Sequence, residues 1–364
     1  MNEDKLCVFI DRLDGGGAER VLLTVANELA RTHPVDLVLA CNGGVLESMI
    51  SDKLTVVRLS AKRTARSLPA LVRYLNREQP RALLTGKVNA NGIAALAGRL
   101  ARARTRIVVS EHSLVRTSQR ASRAKEIIEP AIIRRLYPRA DHFVAVSPAA
   151  REELCRTTRI PEHHVQIIPN PVIGDDFAQK LSKPCDHPFL AGDVPCILAM
   201  GRLEPIKGFD DLIRAMPPLL ERTRARLIIL GEGSERSRLE GLAQELGVGD
   251  SISMPGFVAN PLPYLRAADL FCLSSHAESL GNVIIEALAA GTPVLARNAP
   301  GGPRHIFRGD AARCLLDDFS PDSLAAALKT FLQAAPAADL VDLRPYHLRG
   351  VIDLYERALL SAAS

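Results

Sequence analysis

Tryptophan is absent from this 364-residue sequence, and all aromatics together make up only 4% of it. Single-strand and RNA readers lean on aromatic stacking beside a basic groove, and no reader motif is present, so a nucleic-acid function has little support. No apolar run approaches the ~20 residues that span a bilayer. The seven cysteines are scattered, odd in number and form no C-x-x-C. That spacing speaks against a zinc site or a disulfide framework and for a reducing compartment. D-x-D, the carboxylate pair that often holds a divalent metal against a nucleotide diphosphate, is missing. So are H-E-x-x-H and G-x-S-x-G, which takes support from a hydrolase or a metal-dependent transferase. The start, MNEDKLCVFIDRL, is acidic and its short apolar run is broken at Asp11 and Arg12. It reads as a first strand rather than a signal peptide.

What is present is an ordinary globular balance, 47% hydrophobic and 24% charged. The length favours two domains. The formal net charge of +5 hides an asymmetry: residues 1–175 carry 27 Lys and Arg against 18 Asp and Glu. The excess concentrates in residues 58–135, with 18 basic against 4 acidic residues. Such a face suits an anionic partner.

Apolar, β-branched runs alternate with helical patterns throughout. Strands are expected near 5–10, 35–41, 54–59, 82–85, 106–110 and 142–146, with helices near 17–32, 67–77, 90–103 and 122–136. After a proline-rich stretch at 173–194, read as a linker, strands return at 196–200, 226–230, 251–254, 270–274, 292–296 and 313–316. Helices fit near 208–221, 234–246, 261–267, 282–289 and 321–333. The predicted fold class is therefore α/β, two Rossmann-like domains facing across a cleft. They span 1–172 and 195–345, with a final helix at about 346–364. Ligands of such sheets bind beyond the carboxyl ends of the strands.

Four segments sit at those ends. In ESLGNVIIEA, the amides of Gly281, Asn282 and Val283 open a helix whose terminus favours an anion, and Glu286 offers a diol two acceptor oxygens. Glu278 stands just before it. In MGRLEPIKG, Arg202 and Lys207 can neutralise a diphosphate, one as a fork and one as a point charge. In LDGGGAER, Gly16 and Gly17 permit close backbone approach to a phosphate or sugar. This turn is neither a P-loop nor G-x-G-x-x-G, and GEGSER at 231–236 also fails that pattern, which removes the main support for a nicotinamide dehydrogenase. In SEHS, His112 ends a strand. Taken singly, each of these residues has an ordinary structural reading.

In chain order the segments are GGAER, SEH, VAVS, IIPNPV, GRLEPIKGFDDLIRA, LIILGEG, GFVANP and ESLGNVIIEALAAGTPV. Together they resemble the retaining GT-B glycosyltransferases of family 4, in particular those that extend bacterial lipid-linked oligosaccharides and surface polysaccharides. The resemblance implies transfer from a nucleotide-diphosphate sugar, UDP-linked by family, to a lipid-linked acceptor hydroxyl. No metal is expected, and the nucleotide sugar is a co-substrate rather than a cofactor. Arg202 and Lys207 would neutralise the diphosphate, Glu278 would touch the donor sugar and Glu286 the ribose. Val258 would read the base through its main chain, Gly16 and Gly17 would approach the donor phosphate, and His112 would meet the transferred sugar. His305 departs from the glutamate often found after the Gly-Gly step. The basic segment, with Arg116, Arg120 and Arg123 after the SEHS strand end, would face an anionic acceptor at the inner surface of the cytoplasmic membrane. The rival readings are a nucleotide-sugar 2-epimerase of the same architecture and a basic nucleic-acid-binding protein.

Overall fold

The computed structural model describes residues 2–112, 131, 133–336 and 338–361. The chain forms two compact units. One holds Met1–Pro171 with Leu348–Ser364, the other Val172–His347.

The first unit is a seven-stranded sheet of β1 (Asn2–Ile10), β2 (Val35–Leu39), β3 (Thr55–Arg58), β4 (Pro80–Gly86), β5 (Arg106–Glu111), β6 (His142–Ala145) and β7 (Val165–Ile167). Its order is β3-β2-β1-β4-β5-β6-β7, and the paired strands run parallel. Val8 of β1 lies beside Leu37 on one side and Leu84 on the other. A parallel sheet is covered on both faces, so its strands read as unbroken apolar runs; Leu6 to Ile10 are all fully buried. The covering helices are α1 (Gly17–Leu29), α2 (Leu68–Glu78), α3 (Val88–Leu100) and α4 (Pro148–Thr158). On α2 the buried face is formed by Leu71, Tyr74 and Leu75. The strand order reverses between β1 and β4, the topological switch point where ligands bind. β7 was not expected: three residues next to His163–His164 and a double-proline loop carry too little periodicity. The helix expected at 122–136 lies largely outside the described residues.

The second unit repeats the plan with β8 (Cys196–Met200), β9 (Arg226–Leu230), β10 (Ile252–Gly256), β11 (Leu270–Leu273), β12 (Val294–Arg297) and β13 (Leu315–Leu316), in the order β10-β9-β8-β11-β12-β13. Its helices are α5 (Phe177–Leu181), α6 (Phe209–Leu220), α7 (Arg236–Glu245), α8 (Leu262–Ala267), α9 (Asn282–Ala289), α10 (Gly302–Ile306) and α11 (Pro321–Ala334). The stretch read as a linker is built into this unit. Phe177 is buried, Asn260 donates to the Lys180 carbonyl at 2.8 Å, and the Arg226 guanidinium lies over the Phe189 ring at 5.0 Å. Pro184 and Pro188 mark irregular backbone, but irregular backbone can still pack. The last helix, α12 (Leu348–Leu360), returns to the first unit and buries Val351, Tyr355, Ala358 and Leu359 in its core.

Candidate active site

In the second unit the site is built on the ends of β8 and β11, the strands flanking its switch point. After β8 the chain turns through Gly208, whose φ of +60° suits glycine. A Cβ there would stand 2.5 Å from the Ser274 carbonyl oxygen. This close approach sets Lys207 against the loop that follows β11. The Ser274 hydroxyl donates to the Lys207 carbonyl at 2.8 Å. The Lys207 ammonium lies 2.5 Å from Glu278 Oε1, and Ser275 donates to the same oxygen at 2.8 Å. Both side chains are mostly buried, 19% and 14% exposed. Two residues 71 apart in sequence therefore form one charged pair. Arg202 is exposed, and among the described residues its guanidinium has no hydrogen-bond or ion-pair partner.

Gly281, with φ +84°, caps α9, and Asn282 and Val283 form its first turn. The N–H groups of a first helical turn have no partner within the helix and carry the positive end of its dipole, next to the Lys207–Glu278 pair. Glu286 is half-buried further along α9. Val258 is half-buried beside Phe257, which is 70% exposed. The Glu278 backbone is fixed from the far side: Gly302 N–H donates to its carbonyl at 2.8 Å, and its own N–H reaches Pro300 O at 3.3 Å.

In the first unit the glycine turn is held by a contact of its own. The Gly16 N–H does not stand open to a phosphate; it donates to Glu19 Oε2 at 2.7 Å. This is a helix-capping contact, set by a glutamate three residues after the cap position. Glu19 is 1% exposed and also pairs with Lys87, which lies 3.1 Å from Asp11. At Gly17 a Cβ would meet nothing within 4 Å, so its backbone needs no glycine for space.

His112 is half-buried after β5. Ser110 Oγ lies 2.9 Å from its Nε2 and 3.2 Å from the Tyr355 hydroxyl of α12. A Cβ on Gly86 would stand 3.0 Å from the ring, so glycine makes room for it. Burial pushes the imidazole pKa from 6.5 down to about 4, against the neighbouring Asn170 side chain, which works to raise it. His112 is therefore neutral at neutral pH. The unfolded chain takes up this proton near 6.5, whereas the fold resists it until about 4. This contribution to stability is complete above 6.5 and is lost as the pH falls through that window. Denaturant melts between pH 7 and 4 should show the decline, and His112→Gln should flatten it. An equal slope in both proteins would assign the decline to other groups. The candidate residues Arg116, Arg120 and Arg123 lie outside the described residues.

Residues 187–341 match the family model of glycosyl transferases group 1, and residues 15–173 match that of glycosyltransferase family 4. The chain belongs to the family 4 glycosyltransferases. It is 28% identical, over 90% of each chain, to the N-acetylgalactosamine-N,N'-diacetylbacillosaminyl-diphospho-undecaprenol 4-alpha-N-acetylgalactosaminyltransferase of Campylobacter jejuni. Among solved structures it superposes on Anabaena HepE in complex with UDP and glucose, with a TM-score of 0.82 and 19% identity over 99% of this chain and 100% of that one. The lipopolysaccharide outer core galactosyltransferase WaaB superposes with a TM-score of 0.75 at 16% identity, over 98% and 99% of the two chains. The fold is GT-B.

Several residues around the candidate positions of each unit escape sequence reading. Arg297, at the end of β12, donates to the Ser274 carbonyl at 2.9 Å, pairs with Asp211 and stacks on Phe319 at 4.0 Å. It thereby braces the strand end that holds Lys207. Ser110, Asn170 and Tyr355 surround His112, and Tyr355 lies 245 residues away from Ser110, so no local signal could pair them. Glu19 supplies the glutamate half of a capping box, but glycine at the cap lacks the side chain that marks such a box in sequence. His305 is half-buried on α10, and burial and the Arg308 charge lower its pKa. It therefore sits neutral where the resemblance leads one to expect a carboxylate. Among the described residues no group of histidine, cysteine or acidic side chains could hold a metal ion.

Proposed function

We propose that the protein transfers a sugar, with retention, from a UDP-linked donor to a hydroxyl of a lipid-linked glycan. The observation that carries this reading is the Lys207–Glu278 pair set beside the first turn of α9. An ammonium and helix-terminal amides suit the charge that grows on a departing diphosphate, and preorganised donors of this kind are worth roughly 2.7–4 kcal/mol each. Glu278 exchanges its bond to Lys207 for the hydroxyls of the donor sugar. Lys207 and Arg202 then turn to the diphosphate, the exposed Arg202 moving freely. Glu286 takes the ribose, Val258 the base through its main chain, and Gly281 to Val283 the phosphate. The acceptor hydroxyl attacks from the face the diphosphate leaves, whose oxygen takes the proton. Neutral His112 hydrogen-bonds the transferred sugar. Support for the donor comes from HepE, solved with UDP and glucose. The Campylobacter relative, named for a diphospho-undecaprenol substrate, supports the acceptor class.

A donor screen tests this. Nucleoside diphosphate release is followed with UDP- and GDP-linked sugars, with and without EDTA, and the anomeric configuration of the product is read by NMR. Release from a UDP-sugar, undiminished by EDTA and with the donor anomer kept, is expected. GDP preference, inversion, or loss that added Mn²⁺ restores would each remove the corresponding part.

The basic excess at 58–135 supports docking on an anionic leaflet, where each Lys or Arg is worth about 1 kcal/mol. No helix among the described residues is long and apolar enough to cross a membrane. Co-sedimentation with phosphatidylglycerol vesicles should rise with lipid charge, fall with salt, and weaken when Arg116, Arg120 and Arg123 are changed to serine. Binding indifferent to all three would leave an ordinary solvated face.

A further inference from the structure

We propose that Asp11 and Lys87 form a recognition site for the hydroxyls of a neutral sugar, the part of the acceptor glycan nearest the reaction. This rests on the transferase reading above. Asp11 follows β1 and Lys87 follows β4, the two strands between which the order of the first sheet reverses. Such switch points are where doubly wound sheets hold ligands. Lys87 takes a φ of +82°, a costly conformation for a side-chain-bearing residue and one that clusters at functional sites. The preceding Gly86 abuts the His112 ring, so the pair lies alongside that histidine.

The roles within the cluster are unequal. Glu19 is buried, and its two oxygens face Gly16 and Lys87. It holds the turn. Asp11 and Lys87 keep 14% and 36% of their side chains exposed. Lys87 spends two of its ammonium's three donors on Asp11 and Glu19, leaving one to offer. Burial works to lower its pKa, but the bond to Glu19 and the charges of Asp11 and Glu19 outweigh this and raise it. The ammonium therefore stays charged.

Charge then selects the ligand. One ammonium stands with two carboxylates, and the Gly16 amide that would greet an anion is already bonded to one of them. A phosphate would meet the Asp11 carboxylate at close range. Neighbouring hydroxyls fit instead, one donating to Asp11 and the next accepting from Lys87. The site thus reads sugar stereochemistry rather than phosphate.

Asp11→Asn keeps the size and leaves Lys87 paired with Glu19, so the fold should survive. Lys87→Arg keeps the charge and alters the reach. Saturation-transfer NMR on the full chain, with and without UDP, would use neutral methyl glycosides of the gluco, galacto and 2-acetamido series. Inorganic phosphate serves as competitor. At least one glycoside should bind the native protein, about tenfold more weakly in Asp11→Asn, the worth of a charge-assisted hydrogen bond. Millimolar phosphate should not displace it, and UDP affinity, measured by calorimetry, should be unchanged in both variants. No glycoside signal in the native protein, equal signals in native and variant proteins, or displacement by phosphate would overturn the proposal and leave the cluster a structural clamp. Failure of UDP to bind counts against the donor reading alone, since the glycoside signals without UDP still decide this one.

Discussion

Lys207→Ala is expected to lower kcat by about 10²–10³-fold, the cost of removing one preorganised donor from a charge that develops in the transition state. Two routes lead to that loss, and the structure separates them. Lys207 can act on the leaving diphosphate directly, or only by holding Glu278 in place across their 2.5 Å contact. In the second case Glu278→Gln, which breaks the charge pair from the other side, would reproduce the whole effect, and the double variant would be no worse than either single one. In the first, Lys207→Ala strikes kcat while Glu278→Gln mainly raises KM for the donor sugar, and the double variant loses both. We expect the first pattern. Glu278 keeps its Ser275 bond without Lys207, so the loop has a second anchor and the variant should fold. Arg202→Ala should act in the same direction but less, because an exposed guanidinium arrives by moving and must lose that freedom on binding. Native turnover in a folded Lys207→Ala protein would end the assignment.

The second unit was far more legible in sequence than the chemistry it holds. Its strands are short apolar runs bounded by glycine turns, and the predicted and observed ends differ by at most two residues for most elements. Periodicity and glycine are local properties, and both are set by backbone geometry. The charged pairs are not local. That Lys207 meets Glu278, or that Arg297 braces Ser274, depends on which strands become neighbours across a switch point. A sequence places each residue at a strand end but does not say which residue faces it.

The first unit adds a contact that the glycines alone do not announce. Three glycines before a helix invited the reading of an open phosphate-binding turn, because such turns leave amides free. Glu19 holds the Gly16 amide from inside the same motif. Lys87 then compensates the glutamate from the end of β4, and its only sequence mark was a lysine after glycine.

The largest structural effect is expected at Gly302, which no motif argument singled out. A Cβ there would stand 1.7 Å from the Leu280 carbonyl oxygen, 2.2 Å from its carbon and 2.6 Å from its Cα. All three are backbone atoms, so no side chain can swing aside. Gly302 must move away, and with it goes the N–H that holds the Glu278 carbonyl. The substitution therefore destabilises and misplaces the site together. Overpacking of this kind costs about 3 kcal/mol at the upper end of its usual range. For a unit of this size that corresponds to a fall in Tm of roughly 6–12 °C. Turnover should drop further than the melting point explains, because the molecules that stay folded hold Glu278 out of register. Gly241→Ala is the matched control. It lies exposed on α7 with nothing within 4 Å of a Cβ, and should gain roughly 0.5–1 kcal/mol through lower chain entropy in a helix. Thermal melts and turnover of the two variants side by side check the argument. If Gly302→Ala melts and turns over like the native protein, the contact between the ESLGN loop and the Gly301–Gly302 turn does not set Glu278, and Lys207 with Ser275 must position it alone.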